Sequence, residues 1–283
     1  MEGHMAKQNA VQKKSETAVA NYDYGDDANA GFENVGQEDI VLPRFSVLQA
    51  LSPQVNGDEA LEGAKAGMLH INVNDQLFDG KEGVEFIGCY RQHVFTEWVP
   101  RKRGGGFVGV HLPDDEIVKK AKEGSTKFGK YNTNYELDDK DEFKGNDLVE
   151  TYEVYGIVLT ADGPVPVVFP FTSTKIKKYR DWMTGLRIFR PKQKIPMFAH
   201  RVRLTTVQQE HASGKSFNVK LSPAVNGSLA DSLIPPGNEL LELGREVYEM
   251  AKENRYRVAY EDGQTEAGEG GGGAPADESE PPF

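Results

Sequence analysis

The sequence predicts a mainly β fold with a few helices, arranged as an OB-fold-like Greek-key barrel with insertions and a C-terminal helix. Several segments are rich in β-branched and aromatic residues, which favour strands. One amphipathic helical pattern lies between two predicted hairpins, and another follows the last strand. Five or so curved strands with an inserted helix are typical of a small Greek-key barrel, although other mixed antiparallel folds share this order of elements.

The first predicted elements are strands. The apolar stretch 40–51 contains Pro43, which suits an edge strand or a bend. Residues 67–74 alternate apolar and polar side chains, as a half-buried strand does. The stretch 84–99 is long, β-branched and aromatic, and it predicts one bent strand or two.

The middle of the chain mixes loops, a helix and a hairpin. Residues 101–109 are basic and rich in glycine, and they predict a flexible loop. Acids followed by lysines predict a short helix at 113–124. Residues 125–150 are polar and predict a long loop or insertion. The stretch 151–171 reads as strand, turn and strand, with the Asp-Gly turn signal at 162–163.

The last third repeats the alternation of helix and strand. A helix is predicted at 172–186, and strands at 196–210 and 216–222 are joined by a turn. A closing helix at 237–255 has Asn238 as its expected N-cap. The core face predicted for the first of these helices is Ile176, Tyr179, Met183 and Leu186.

Composition divides the 283-residue chain into three parts. Residues 1–36 form a polar arm, expected to be disordered, in which Met1 to His4 resemble a cloning scar. Residues 37–256 form the folded core, and 257–283 an acidic, disordered tail. No signal or membrane segment is visible, so we expect a cytoplasmic protein, in the host cytoplasm if it is phage-encoded. The single cysteine, Cys89, fits a reducing compartment.

The stretch 175–203 combines ten Lys or Arg residues, a single acid and several aromatic rings. Such a pairing suits single-stranded nucleic acid, because cations displace counterions from phosphates and flat rings stack on unpaired bases. The basic segment 101–103 is expected to form a second wall of the same DNA-binding site. The predicted DNA-binding residues are Arg101, Lys102, Arg103, Lys175, Lys178, Arg180, Trp182, Arg187, Phe189, Arg190, Lys192, Lys194, Arg201 and Arg203.

Strand and helix periodicity place these residues on surfaces. Arg201 and Arg203 are two apart and share the outward face of a strand, while Val202 and its neighbours face inward. On the helix, Lys175, Lys178 and Trp182 are expected to form a stripe beside the core stripe. Core packing is the alternative role for Trp182, as it is for Tyr179.

No catalytic or metal-binding pattern is apparent. The segment "ASGKS" at 212–216 lacks the first glycine of a P-loop and joins two strands, so it predicts a turn. The histidines lack ligand spacing, and the lone cysteine argues against a zinc site. We therefore expect no cofactor, no metal and no enzymatic activity.

The tail concentrates negative charge. Residues 261–283 carry seven acids and no Lys or Arg, so setting these acids aside reduces the net charge from −11 to −4. A Gly-rich linker would hold the acids and Phe283 on a flexible tether. A partner pocket could receive the ring while basic side chains meet the acids.

This ending resembles the acidic tip of single-stranded DNA-binding proteins of bacteria and of T7-type phages. The resemblance covers the linker and the last seven residues, and the longer core suits a phage protein better. It implies that the tip recruits replication and recombination proteins, such as a polymerase, a helicase-primase or a nuclease, and competes with DNA. The matching residues are Asp277, Glu278, Glu280, Pro282 and Phe283.

The sequence therefore predicts a protein that coats single-stranded DNA during replication or recombination, without base specificity and with no membrane association. Its oligomeric state stays open, with a homo-oligomer possible. A strand-annealing recombination protein, a nucleic-acid enzyme such as a nuclease, and an adaptor that uses the tail alone are the alternative readings.

Overall fold

The computed structural model describes residues 41–57, 60–125, 131–211, 214–253 and 257–258, together with Gly25, Ala30 and Gly31. Most of the predicted arm and tail therefore lies outside the described residues. The described strands are β1 (Val41–Leu42), β2 (Phe45–Val47), β3 (Leu69–Ile71), β4 (Gln76–Phe78), β5 (Val84–Trp98), β6 (Phe107–His111), β7 (Tyr131–Asn132), β8 (Asp147–Thr160), β9 (Gly163–Thr172), β10 (Arg201–His211), β11 (Gly214–Pro223) and β12 (Arg257–Val258). The described α-helices are α1 (Glu116–Gly124), α2 (Lys175–Ile188) and α3 (Glu239–Lys252).

These elements confirm a mainly β fold with a few helices and a helix near the C-terminus. Local signals placed several of them correctly. Asn238 caps α3, since its side-chain oxygen accepts a hydrogen bond from the backbone N–H of Leu240 at 2.9 Å. The turn between β8 and β9 uses Gly163 at a φ of 127°, a value that favours glycine. None of the described helices is long and apolar enough to cross a membrane.

Seven of the described strands form one antiparallel sheet in the order β11-β10-β5-β8-β7, with β6 on β5 and β9 on β8. Its two longest strands, β5 and β8, are neighbours in the sheet and have 15 and 14 residues. Strands β2, β3 and β4 form a smaller antiparallel sheet, and β1 pairs in parallel with β12. The segment 84–99 is thus one long strand, the first of the two possibilities.

Strand pairing does not close the described strands into a barrel. The small sheet meets β9 through a single bridge, between Arg44 and Val168. Toward β11 the link is a side chain: Gln49 accepts from the backbone N–H of Phe217 and donates to its carbonyl, both at 2.9 Å. A closed barrel needs an unbroken hydrogen-bonded ladder around its circumference. Because the ladder stops on both sides of the small sheet, the architecture is an open sheet with a second sheet packed against it.

One face of the large sheet, here called the α2 face, is covered by α2 and the small sheet. The main core lies there, with Phe45, Phe86, Phe169 and Phe171 at 0 % exposure. Helix α1 packs farther along the same face, where Phe95 is also fully buried. Helix α3 covers the opposite face through a second core. The two longest strands therefore carry packed side chains on both faces.

A β-bulge in β5 decides which side chains of its outer half face α2. The register against β8 shifts between Gly88 and Tyr90, so Cys89 is an extra residue in β5. Beyond the bulge, Arg91 pairs with Val154, whose side chain belongs to the α2-face core. Arg91 and every second residue after it therefore lie on the α2 face.

Candidate nucleic-acid interface

Helix α2 buries a stripe made of Lys175, Tyr179 and Trp182. These residues are spaced i, i+4 and i+7, so they share one side of the helix. Lys175 is only 3 % exposed and cannot offer its ammonium group to a ligand in solution. The prediction that Lys175 contacts DNA is therefore wrong, because Lys175 lies on the side of α2 that packs against the sheet.

Trp182 is a core residue and not an exposed stacking platform. Its side chain is 8 % exposed, and its ring centroid lies 6.2 Å from Phe171 and 6.3 Å from Phe86. Strand β5 passes so close that a Cβ added to Gly88 would come within 2.7 Å of the indole. The structure therefore supports the core alternative, and the predicted DNA contact of Trp182 is wrong.

The segment 187–194, here called the basic loop, consists of the last two residues of α2 and the six residues after them. No acid occurs in the sequence between Trp182 and Gln209. Within the described part of the chain, no ion pair involves a cation of this loop. The loop therefore presents uncompensated positive charge to solvent. Its four exposed cations are Arg187, Arg190, Lys192 and Lys194.

Phe189 fixes the basic loop to the fold. Its half-buried ring lies 6.0 Å from the ring of His200, and the Arg190 guanidinium lies 5.2 Å from the Phe189 ring centroid. Burial lowers the pKa of His200, whose Nδ1 has no hydrogen-bond partner, so the imidazole is neutral near pH 7. An uncharged ring thus supports Phe189 without adding charge to the loop.

Arg201 and Arg203 lie on the outward face of β10, as the alternation predicted, while Val202 and Leu204 are buried. Both guanidiniums contact Glu85, at 3.4 Å and 3.0 Å. Glu85 is more than a hundred positions away in sequence, so the basic stretch gave no sign of it. One carboxylate therefore partly neutralises both arginines, and their contact with DNA stays a prediction.

The basic segment 101–103 lies far from Arg201 and Arg203 along β5. It follows Trp98 at the outer end of β5, whereas Arg201 pairs with Ile87 near the other end, about 36 Å away at the rise of a strand. Lys102 forms an ion pair of 2.5 Å with Glu142, and Arg103 donates to backbone carbonyls of the neighbouring loop. The role of this segment as a second wall of the site stays a prediction.

Four rings form a stacked row on the α2 face, and sequence reasoning missed three of them, since only Tyr179 had been singled out. His93 and Tyr152 are parallel, with an interplanar angle of 2° and centroids 4.3 Å apart. On its other side Tyr152 stacks on Tyr179 at 4.6 Å, and the second neighbour of His93 is Phe95 at 5.5 Å. We call these four residues the aromatic row. Both ring faces of Tyr152 are covered, so a base cannot stack on it.

Three cations from three elements flank the aromatic row. Lys122 of α1 lies 4.3 Å from the Phe95 ring centroid. Arg180 of α2 lies 5.8 Å from the Tyr152 ring centroid, and its hydrogen bond to the Tyr152 hydroxyl raises the pKa of the guanidinium. Arg91 of β5 is exposed and interacts with the Tyr179 hydroxyl. The row therefore joins cations that are remote in sequence.

Neither Lys178 nor the predicted tail residues add a contact to this interface in the described part of the chain. Lys178 is half-buried on α2. The partner-binding residues predicted between Asp277 and Phe283 lie outside the described residues. In the part of the chain that the structure describes, no group of three His, Cys, Asp or Glu side chains could hold a metal ion. Burial raises the pKa of Cys89, so its thiol stays protonated.

Comparison with known proteins gives one match. No curated protein and no solved structure matches the chain. The family model described as Pam3 phage gp34-like protein matches residues 11–257, which is most of the sequence. This match includes the large sheet, all three described α-helices and the basic loop. The chain therefore belongs to the phage family of Pam3 phage gp34-like proteins.

Proposed function

We propose that this phage-family protein binds single-stranded DNA, and that it coats exposed strands during phage DNA replication or recombination in the host cytoplasm. In this proposal it is a binding protein and not an enzyme, related in role to the T7-type phage proteins whose tails its own tail resembles. The proposal needs no cofactor.

The observation that carries the proposal is the basic loop. Four exposed cations lie within eight residues, without an ion-pair partner among the described residues and without an acid nearby in sequence. A helix end and Phe189 hold the loop in place, so the cations are held together at one site. Clustered, unpaired cations attract phosphates and displace their counterions.

An unpaired strand suits this surface better than a duplex. The half-buried ring of Phe189 lies among the cations, where an unstacked base can reach its exposed part. On α2 the aromatic side chains Tyr179 and Trp182 face the sheet, so they are not available to read base edges. We therefore propose binding that depends on the backbone and on stacking, with little base specificity.

A titration tests this proposal. Fluorescent oligo-dT and a duplex of equal length are titrated with the full chain at two salt concentrations. Oligo-dT is expected to bind more tightly. Its log–log salt slope should be about −3 or steeper, because each of four phosphate contacts on a single strand contributes about −0.7. Equal affinity for the duplex, or an affinity for oligo-dT that does not change with salt concentration, would contradict the proposal.

We further propose that the acidic tail competes with DNA for the basic loop and recruits replication proteins through Asp277 to Phe283. Deleting residues 261–283 removes seven acids from a Gly-rich tether. Apparent affinity for oligo-dT should rise, most clearly at low salt, since a tether keeps the acids at high local concentration and screening is then weak. Recruitment of replication proteins in pull-downs should be lost.

A single-residue deletion of Phe283 is the matched control for the tail. It keeps all seven acids, so competition with DNA should persist while capture of partners falls. Unchanged oligo-dT affinity in the long deletion at low salt would eliminate competition. Undiminished pull-down without Phe283 would eliminate the ring as an anchor.

A further inference from the structure

Two guanidiniums meet at the aromatic row from different parts of the chain. Arg91 comes from β5, just after the bulge, and Arg180 from α2. Both side chains are exposed. On β5, Arg91 lies two residues before His93 on the same face, and Arg180 lies 5.8 Å from the ring centroid of Tyr152, which stacks on His93. Burial raises the pKa of the Tyr179 hydroxyl, and the positive charges of Arg91 and Arg180 both oppose that rise. The arginines therefore converge on one small area of the α2 face.

The tyrosines of the aromatic row help to position these arginines. Arg180 lies 5.8 Å from the Tyr152 ring centroid and 3.9 Å from Glu150, and the charge of Arg91 acts on the Tyr179 hydroxyl. The two tyrosines are themselves fixed by stacking at 4.6 Å. A guanidinium that is already oriented loses less side-chain freedom when it binds a ligand, and its planar fork suits two oxygens of a phosphate.

One carboxylate faces the pair, and it is already engaged. Glu150 lies 3.0 Å from Nε2 of His93 and accepts from the Tyr152 hydroxyl at 3.4 Å, while Arg180 is 3.9 Å away. Its side chain is only 15 % exposed, whereas Arg180 is 55 % exposed. The area that reaches solvent is therefore positive.

We propose that Arg91 and Arg180 form a binding site for phosphodiester groups of a single DNA strand, with Lys122 as a third contact farther along β5. This inference rests on the proposed function and names a second part of the same interface. Because both faces of Tyr152 are covered, the site takes the strand's backbone and leaves its bases free.

The spacing of these cations fits a strand that continues from the basic loop. Arg180 precedes Arg187 by seven helical residues, about 10 Å along α2. Arg91 and Phe95, above which Lys122 lies, are four residues apart along β5, about 13 Å. That span is close to two steps between successive phosphates of an extended single strand.

The test compares the variant Arg91→Gln/Arg180→Gln with wild type and with the control Arg245→Gln. Arg245 lies on α3, the helix that covers the opposite face of the large sheet. Its side chain is 53 % exposed, close to the exposure of Arg180. Oligo-dT affinity is measured from low to high salt. We expect the double variant to flatten the log–log slope by about 1.4, from two contacts on a single strand, and the control to leave it unchanged.

Two further ligands identify what the site recognises. An abasic phosphodiester oligomer should lose as much affinity as oligo-dT does in the double variant, because the contact is with the backbone. The mononucleotide dTMP should show no saturable binding. A smaller loss on the abasic oligomer, or saturable dTMP binding that the double variant abolishes, would overturn a strand-backbone site.

A second variant covers the possibility that loss of Arg91 disturbs Tyr179. Lys122→Gln changes one exposed side chain on α1 and should flatten the slope by about 0.7. If wild type binds oligo-dT and both variants keep its affinity and slope, this inference fails while the proposed function stands. If wild type does not bind oligo-dT, the proposed function fails and this site fails with it.

Discussion

Replacing the four cations of the basic loop by glutamine is expected to remove most of the salt-dependent affinity for oligo-dT. Four lost phosphate contacts should flatten the log–log slope by about 3, so the affinity loss should be roughly 50-fold larger at 50 mM than at 200 mM salt. The cations are exposed and have no ion-pair partner among the described residues, so the melting temperature should change little. Fluorescence titration and thermal unfolding measure the two effects.

A matched quadruple variant separates a local site from net charge. Glutamine at Lys65, Lys81, Arg245 and Lys252 changes the net charge by the same amount, and all four side chains are exposed and lie outside the basic loop in sequence. This control should retain nearly wild-type affinity. Equal losses in the two quadruple variants would mean that overall charge, and not the basic loop, governs binding.

Trp182→Ala is expected to lower the free energy of unfolding by about 3–5 kcal/mol, the usual cost of removing a large buried aromatic side chain. The indole fills the space between α2, Phe86 and Phe171, and nothing in the close-packed core can replace it. Urea unfolding followed by circular dichroism measures the effect. The folded fraction of the variant should bind oligo-dT as wild type does.

Ile188→Ala is the control on the same helix. Ile188 is 70 % exposed, so removing its side chain should change stability by less than about 0.5 kcal/mol. If Trp182→Ala instead unfolds like wild type and loses DNA affinity, the indole is a stacking residue after all and the core assignment is wrong.

Patterns that act over short distances in sequence were sufficient to predict much of the fold. The hairpin of β8 and β9, the cap at Asn238 and the amphipathic helices follow from turn chemistry, capping and periodicity. The start of β8 was missed by four residues, because Leu148 and Val149 are a single apolar pair in a polar stretch and the burial of Leu148 depends on α1.

The candidate site was only partly predictable, because its charges and rings are arranged by contacts between distant segments. The exposed cations of the basic loop were visible as a local cluster. The neutralising effect of Glu85 on Arg201 and Arg203 was not, since 116 and 118 positions separate the partners. The aromatic row was missed for the same reason, although Arg91, His93 and Phe95 alternate in a way that could have suggested one shared face.

The bulge at Cys89 lets two sequences of different length share one surface. A relative without this one residue would alternate strictly along β5 and would still pair Arg91 with Val154, because Cys89 has no partner on β8. A relative that kept every residue but paired Cys89 in the ladder would instead turn the outer half of the strand over, and Gln92 and Val94 would lie beneath α2. Alignments of this phage family therefore need the position of a single gap at this bulge before its side chains are compared.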